Sequence, residues 1–181
     1  MKKSSLTFLL ISCITLIVNA QTFNRTTKIN ASDRNSFDQY GAAVSVSGNY
    51  AIVGAYYDTE DAQGNNVIHG AGSAYIYERN INGQWIEAQK IVASDRSYGD
   101  YFGRSVSISN DRIIVGAYKT DTDESGNNSM SSAGAVYIFE RDASGAWIEK
   151  AKLCAPIRNI NDVFGFSVSI NNNTAIVGSY Q

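Results

Sequence analysis

The 181-residue chain is 44% hydrophobic and 11% aromatic, a composition typical of a globular protein and not of a disordered one. Its fifteen basic residues form no patch and are outnumbered by seventeen acidic ones, which argues against nucleic acid and anionic membranes as partners. Eleven tyrosines, fifteen glycines and a single proline favour short strands and tight turns over helices.

Residues 1–20 have the pattern of a secretory signal peptide. Two lysines form a positive start, residues 6–18 form an apolar core, and small residues up to Ala20 suit cleavage. The core is too short for a stable membrane anchor, and no later segment is apolar enough for a transmembrane helix, so we expect a secreted or cell-surface protein. A lipoprotein anchor at Cys13 is the weaker alternative, because cleavage there leaves an apolar stretch exposed on the mature protein.

An internal repeat of 62 residues organises the rest of the chain. Residues 28–89 align without a gap to residues 90–151 and are identical at 30 of 62 positions, and residues 152–181 begin a third copy. Residues 21–27 match the end of a copy, so we interpret them as an outer strand of the same kind. A fixed period of this size is typical of stacked or radial repeat architectures.

Four strands are predicted in the second copy. Residues 102–109 alternate apolar side chains with serine, as in a strand with two different faces. A two-residue Asn-Asp turn leads into residues 112–118, which are almost all apolar and are expected to be covered on both faces. After a polar loop, residues 134–142 and 146–155 form the third and fourth strands. The first copy repeats the set.

Four antiparallel strands in a repeat of this length predict one blade of an all-β β-propeller. Helical repeats would show a period of 3.6 residues, and solenoids built of strands would have a much shorter repeat. The chain holds about two and a half blades, whereas propellers contain four to eight. We therefore expect an incomplete ring whose remaining blades belong to a longer chain.

The hairpins and third strands resemble the FG-GAP repeat of integrin α-subunit propellers, and more closely its bacterial exported relatives. The resemblance rests on segments such as FGRSVSISNDRIIVGAY and GAVYIFER, and it covers the chain from about Phe23 onwards. It implies a propeller in an extracellular protein, often one concerned with adhesion or ligand recognition. The aromatic-glycine and glycine-alanine positions that carry it are Tyr40, Gly41, Gly54, Phe102, Gly103, Gly116, Phe164, Gly165 and Gly178.

The calcium site of the integrin-type repeat does not transfer to this chain. In the family it lies in an Asp-rich loop between the first and second strands, but here that connection is a turn of two or three residues. Such a turn cannot supply the six or more oxygen ligands that calcium takes.

The loop between the second and third strands contains a separate calcium candidate. Asp121, Asp123, Ser125 and Asn127 offer oxygens at alternating positions, with a glycine at the sixth position, as at the start of a calcium loop. The closing glutamate is missing, because Ser132 stands at the twelfth position. A solvated polar turn, which favours the same residue types, is the alternative, and no other cofactor is predicted.

Two charged positions recur in the loop before each first strand. They are Arg34 and Asp38, Arg96 and Asp100, and Arg158 and Asp162. Each Asp is well placed to accept backbone amides or a nearby guanidinium. A unique binding site requires one copy to differ from the others, and these positions do not differ, so we interpret them as scaffold.

We expect no catalysis in this chain, because its one histidine, His69, is replaced by Ser131 in the second copy and no acid/base pair stands out. We expect instead an exported binding or adhesion module that recognises an extracellular protein or glycan through its loops. The loops proposed for recognition are residues 31–39, 56–70, 93–101 and 118–132. The alternatives are a non-catalytic scaffold domain of a larger exported enzyme and a glycan-binding, lectin-like propeller.

Overall fold

The computed structural model describes residues 28–180, in which every assigned element of regular structure is a β-strand. Blade 1 comprises β1 (Tyr40–Ser47), β2 (Tyr50–Ala55), β3 (Ser73–Arg79) and β4 (Trp85–Ile91). Blade 2 comprises β5 (Phe102–Ser109), β6 (Arg112–Ala117), β7 (Ala135–Arg141) and β8 (Trp147–Leu153). Blade 3 comprises β9 (Ser167–Asn171) and β10 (Thr174–Gly178). The predicted signal peptide and the predicted strand at 21–27 lie outside the described residues.

Each blade is an antiparallel meander whose strands pair in chain order. The prediction of an all-β fold with four-stranded blades is therefore confirmed, and the strands of blade 2 begin and end within two residues of the predicted bounds. The sheets are open, so the described part of the chain is a partial β-propeller and not a closed ring. None of its segments is a helix long and apolar enough to cross a membrane.

The hydrophobic core lies between blades. Val106 and Ile108 of β5 are only 7% and 4% exposed because β1 and β2 of blade 1 cover them. The equivalent Val44 and Val46 of β1, whose face has no neighbouring blade in the structure, are 68% and 64% exposed. The apolar face of a blade is therefore buried only where a neighbouring blade packs against it.

Serine hydroxyls link the first strands of neighbouring blades. In each case a backbone N–H of the later blade donates to a serine Oγ of the earlier one. The pairs are Ile108 to Ser45 (3.2 Å), Asn110 to Ser47 (3.0 Å), Ile170 to Ser107 (3.1 Å) and Asn172 to Ser109 (2.9 Å). The serine face of the alternating strand is therefore bonded to the next blade, which its polarity alone did not predict.

The glycine-alanine elements lie where two backbones meet. A Cβ at Gly54 would overlap the carbonyl oxygen of Gly103, and one at Gly116 would overlap that of Gly165. Both positions need glycine because the first strand of the next blade occupies the space of a side chain.

Candidate functional site

The loop face between blades 1 and 2, here the first junction, is fixed by backbone hydrogen bonds. The loop that enters blade 2 donates from Gly99 to His69 (3.1 Å), from Tyr101 to Gly70 (2.9 Å) and from Phe102 to Ala71 (3.0 Å). The junction between blades 2 and 3, here the second junction, has the same three bonds. They run from Asn161 to Ser131 (2.9 Å), from Val163 to Ser132 (3.0 Å) and from Phe164 to Ala133 (2.9 Å). The two junctions therefore share one backbone scaffold.

The recurring Asp and Arg side chains lie within this scaffold. Asp38, Asp100 and Asp162 each accept a hydrogen bond from the backbone N–H three residues earlier, at 2.6, 2.7 and 2.7 Å. Arg96 reaches across the first junction and donates to the carbonyls of Thr59 (2.8 Å) and Asn66 (3.2 Å). At the second junction the equivalent guanidinium, Arg158, binds Asp121 and Asn128 through their carbonyls. The arginines thus hold the β2–β3 and β6–β7 loops against the next blade.

The scaffold carboxylates at both junctions are buried. Asp100 is 5% exposed, and burial raises its pKa to about 7, with a further contribution from the charge of Asp95. Burial also raises the pKa of Asp38, and the neighbouring charges of Asp58 and Glu60 act in the same direction. Burial is thus the main cause of both pKa shifts, and neighbouring carboxylates add to it.

A pocket of about 480 Å³ opens at the first junction between these loops. Its aromatic lining consists of Phe37, Tyr57, Tyr98 and Tyr101, and its polar side chains include Asn35, Asp38, Thr59, Glu60 and His69. The volume falls within the range of small-ligand sites, and aromatic walls with a few convergent polar groups are typical of such sites.

The aromatic side chains of the pocket fall into two groups. Tyr57 and Tyr101 form a fixed wall: their ring centroids are 4.9 Å apart, and the Tyr101 hydroxyl donates to the Tyr57 hydroxyl at 3.4 Å. That bond, together with burial, raises the pKa of Tyr101 to about 12. Phe37 and Tyr98, in contrast, are 85% and 79% exposed at the rim, so their ring faces are open to a ligand.

Beneath the pocket, a buried ion pair holds the β2–β3 loop. Asp58 is 1% exposed and accepts from Lys90 (2.8 Å), Ser73 (2.6 Å) and Tyr75 (2.7 Å). Burial by itself would raise the pKa of Asp58, but the ammonium and the two hydroxyls outweigh burial and lower it. Asp58 also accepts from the Glu60 amide at 3.1 Å, which fixes the backbone of a pocket residue.

The pocket lining differs between the junctions although the scaffold does not. At positions 62 residues later, Phe37, Tyr57, Tyr98 and Tyr101 correspond to Gly99, Lys119, Ile160 and Val163, and Glu60 and His69 correspond to Thr122 and Ser131. All four aromatic residues lie in loops proposed for recognition, but their pattern in the sequence does not by itself distinguish them from other loop residues. The available signal was an aromatic residue confined to one copy.

The calcium candidates lie in the β6–β7 loop, away from this pocket. Asp123 accepts from Ser125 N (2.9 Å), Ser125 Oγ (2.6 Å) and Asn127 N (3.0 Å), and these partners lower its pKa. Asp121 accepts from Ser132 N at 2.7 Å. In residues 28–180, no group of three or more His, Cys, Asp or Glu side chains converges on a metal position.

The turn at Asp123 is a repeated local motif. Asp61 in blade 1 accepts from the amides of Gln63 (2.9 Å) and Asn65 (2.8 Å), and Asp142 in the β7–β8 turn accepts from those of Ser144 (2.9 Å) and Ala146 (3.0 Å). A carboxylate that bonds its own loop amides is typical of a polar turn. This geometry favours the turn interpretation, and calcium binding stays a prediction.

The chain matches the model of the FG-GAP repeat three times, over residues 23–77, 85–139 and 147–181. The matches start 62 residues apart, as the repeat requires, whereas the copy boundaries at residues 28, 90 and 152 stay predictions. A comparison with curated proteins finds no match. Since the three matches cover most of the chain, the chain belongs to the FG-GAP repeat family.

Proposed function

We propose that the chain is an exported, non-catalytic binding module that attaches to an extracellular ligand, a protein or a glycan, at a cell surface. The observation that carries this proposal is the contrast between the two junctions. Their scaffold hydrogen bonds are the same, but only the first carries four aromatic side chains around its pocket. Exposed aromatic rings beside a rigid pocket are typical of binding surfaces.

Two further observations support an extracellular role. FG-GAP repeats are typical of extracellular proteins, and residues 1–20 have the composition of a signal peptide. The polar groups of the pocket include one histidine and two carboxylates, and both carboxylates already accept hydrogen bonds from their own loops. These hydrogen bonds hold both carboxylates in place, as in a largely preformed binding site.

The proposal can be tested with a variant in which the first junction takes the residues of the second. The variant combines Phe37→Gly, Tyr57→Lys, Tyr98→Ile and Tyr101→Val. Each new residue already occupies the equivalent backbone position in the same chain, so we expect the fold to be retained. The control is Ile157→Ser with Ile160→Ser, which removes two exposed apolar side chains (79% and 67% exposed) outside the pocket.

Binding of the labelled proteins to intact bacterial and animal cells would be measured by flow cytometry, after circular dichroism has confirmed folding. We expect saturable binding by the wild type and the control, and binding at least tenfold weaker by the exchanged variant. Equal binding by the exchanged variant would overturn the pocket as the recognition site. Absence of saturable binding to any surface would favour the scaffold-domain alternative.

A further inference from the structure

Phe37 occupies a backbone position that is unfavourable for a side chain of its size. Its φ is 78°, in the left-handed region, and the equivalent residues Gly99 and Asn161 have φ of 73° and 64°. Glycine and asparagine tolerate this region, whereas a bulky aromatic residue is strained there. Phe37 is 85% exposed, and at the equivalent Gly99, which does have a preceding blade, an added Cβ would meet no atom within 4 Å, so a side chain at this position gains little packing in return. A strained, exposed ring at a pocket rim points to a role in ligand contact.

The polar groups around the pocket are mixed donors and acceptors. The Asn35 amide donates to Glu60 at 3.3 Å, and the Thr59 hydroxyl donates to the other Glu60 oxygen at 3.0 Å. Asp38 is 7% exposed and accepts from the Asn35 backbone at 2.6 Å. Each group keeps one or more unused lone pairs or protons, which match hydroxyl groups that donate and accept at once.

The charged side chains at the pocket limit the net charge that a ligand can carry. The residues that line the pocket include no lysine or arginine, and Asp38 and Glu60 both lie on its wall. The one ammonium beside the pocket wall in the described residues is that of Lys119, 5.2 Å from the centroid of the Tyr101 ring, so two carboxylates face one cation and an anionic ligand would meet net repulsion. The Lys119 ammonium in turn would repel a cationic ligand that approached the Tyr101 wall. A neutral ligand with an apolar face and several hydroxyls satisfies both the rings and the polar groups.

We propose that the first-junction pocket binds a neutral sugar residue of a cell-surface glycan. The apolar C–H face of the sugar stacks on the exposed rings of Phe37 and Tyr98. Its hydroxyls bond Glu60 and Asn35 on the polar side. This inference rests on the proposed function and specifies its ligand, since it requires the same pocket to mediate attachment.

The probes are immobilised neutral oligosaccharides that end in glucose, galactose, mannose or N-acetylglucosamine, beside sialylated and sulfated oligosaccharides and a lysine- and arginine-rich peptide. We expect binding to at least one neutral oligosaccharide and none to its acidic counterparts. Phe37→Gly should weaken that binding at least tenfold without lowering the melting temperature. Glu60→Gln keeps an acceptor oxygen and should weaken it less, and Ile160→Ser should leave it unchanged.

Competition on cells separates this inference from the proposed function. If the bound neutral sugar inhibits attachment of the wild type to cells, both are supported. If attachment persists and is lost in the exchanged variant, but no neutral oligosaccharide binds, the sugar inference is overturned and the binding module stands. Binding of the basic peptide instead would overturn it in favour of a cationic ligand, and sugar binding that survives Phe37→Gly would contradict the proposed stacking.

Discussion

The two junctions of this molecule separate what the repeat needs for folding from what one copy adds. Both have the same three backbone bonds, a buried Asp and an arginine that binds loop carbonyls of the preceding blade. Around that common frame, the first junction places aromatic rings where the second has Gly99, Lys119, Ile160 and Val163. Functional differences in a repeat protein can therefore be sought by comparing equivalent loop positions within the one chain.

The largest expected effect tests whether the two scaffolds are equivalent. We expect Gly54→Val and Gly116→Val each to lower the free energy of unfolding by about 3 kcal/mol or more, because the new side chain overlaps a carbonyl of the next blade. Urea denaturation measures the loss. The control is Gly126→Ala, which meets no atom within 4 Å and should cost only about 1 kcal/mol for its positive φ. A large effect at one junction alone would show that the scaffolds differ.

The buried carboxylates test the electrostatics of the junctions. The pKa of Asp100 rises from 3.8 to about 7 on folding, so the folded state retains a proton that the unfolded state loses. The contribution of the Asp100 carboxyl group to the stability of the folded state is complete below pH 4 and is lost as the pH rises through 7. We expect Asp100→Asn to be about 2 kcal/mol more stable than the wild type at pH 8 and equal to it near pH 4.

Thermal unfolding of both proteins at several pH values would measure this difference, and groups common to both cancel. Asp38→Asn is the matched change in the loop that enters blade 1 and should act in the same direction, because burial also raises the pKa of Asp38. A stability difference that does not vary with pH would mean that Asp100 is ionised in the folded protein.

A smaller change in the free energy of unfolding, of opposite sign to that of the glycine variants, is expected at Phe37 in the first junction. Replacement of Phe37 by Gly, the residue of blade 2, should raise the free energy of unfolding by roughly 0.5–1 kcal/mol. Relief of left-handed strain, about 1–2 kcal/mol, exceeds the added chain entropy of glycine. The reciprocal Gly99→Phe should lower it by a similar amount. Calorimetry on the pair would show whether strain is stored at Phe37, and a destabilised Phe37→Gly would mean that its ring packs.

The smallest expected effect concerns calcium. Because Asp123 already bonds its own loop, we expect millimolar calcium to change the melting temperature by less than about 1 °C relative to a chelator. Differential scanning fluorimetry with the wild type and with Asp121→Ala combined with Asp123→Ala would measure this. A larger rise that disappears in the double variant would restore the calcium site.

The sequence predicted the blades well because strand alternation and a gapless repeat are local signals. Residues 102–109 formed the predicted strand with the predicted bounds. The pocket could not be predicted in the same way, because Phe37, Tyr57 and Tyr98 come together only when one blade is packed on the next. The sequence identified the loops that contain these residues but not that the side chains lie around one pocket. Likewise, the alternation predicted on which face of the strand Ser45 lies, but not that it accepts a hydrogen bond from Ile108, 63 residues away.

The serine hydroxyls at the junctions have a consequence for the dynamics of the molecule. The amides of Ile108 and Ile170 donate outside their own sheets, to Ser45 and Ser107 of the preceding blade. Hydrogen exchange at these amides should therefore follow the separation of two blades and not the unfolding of either one. Each amide reports the opening of its own junction. Together they can show whether the blades separate in succession or as a single unit.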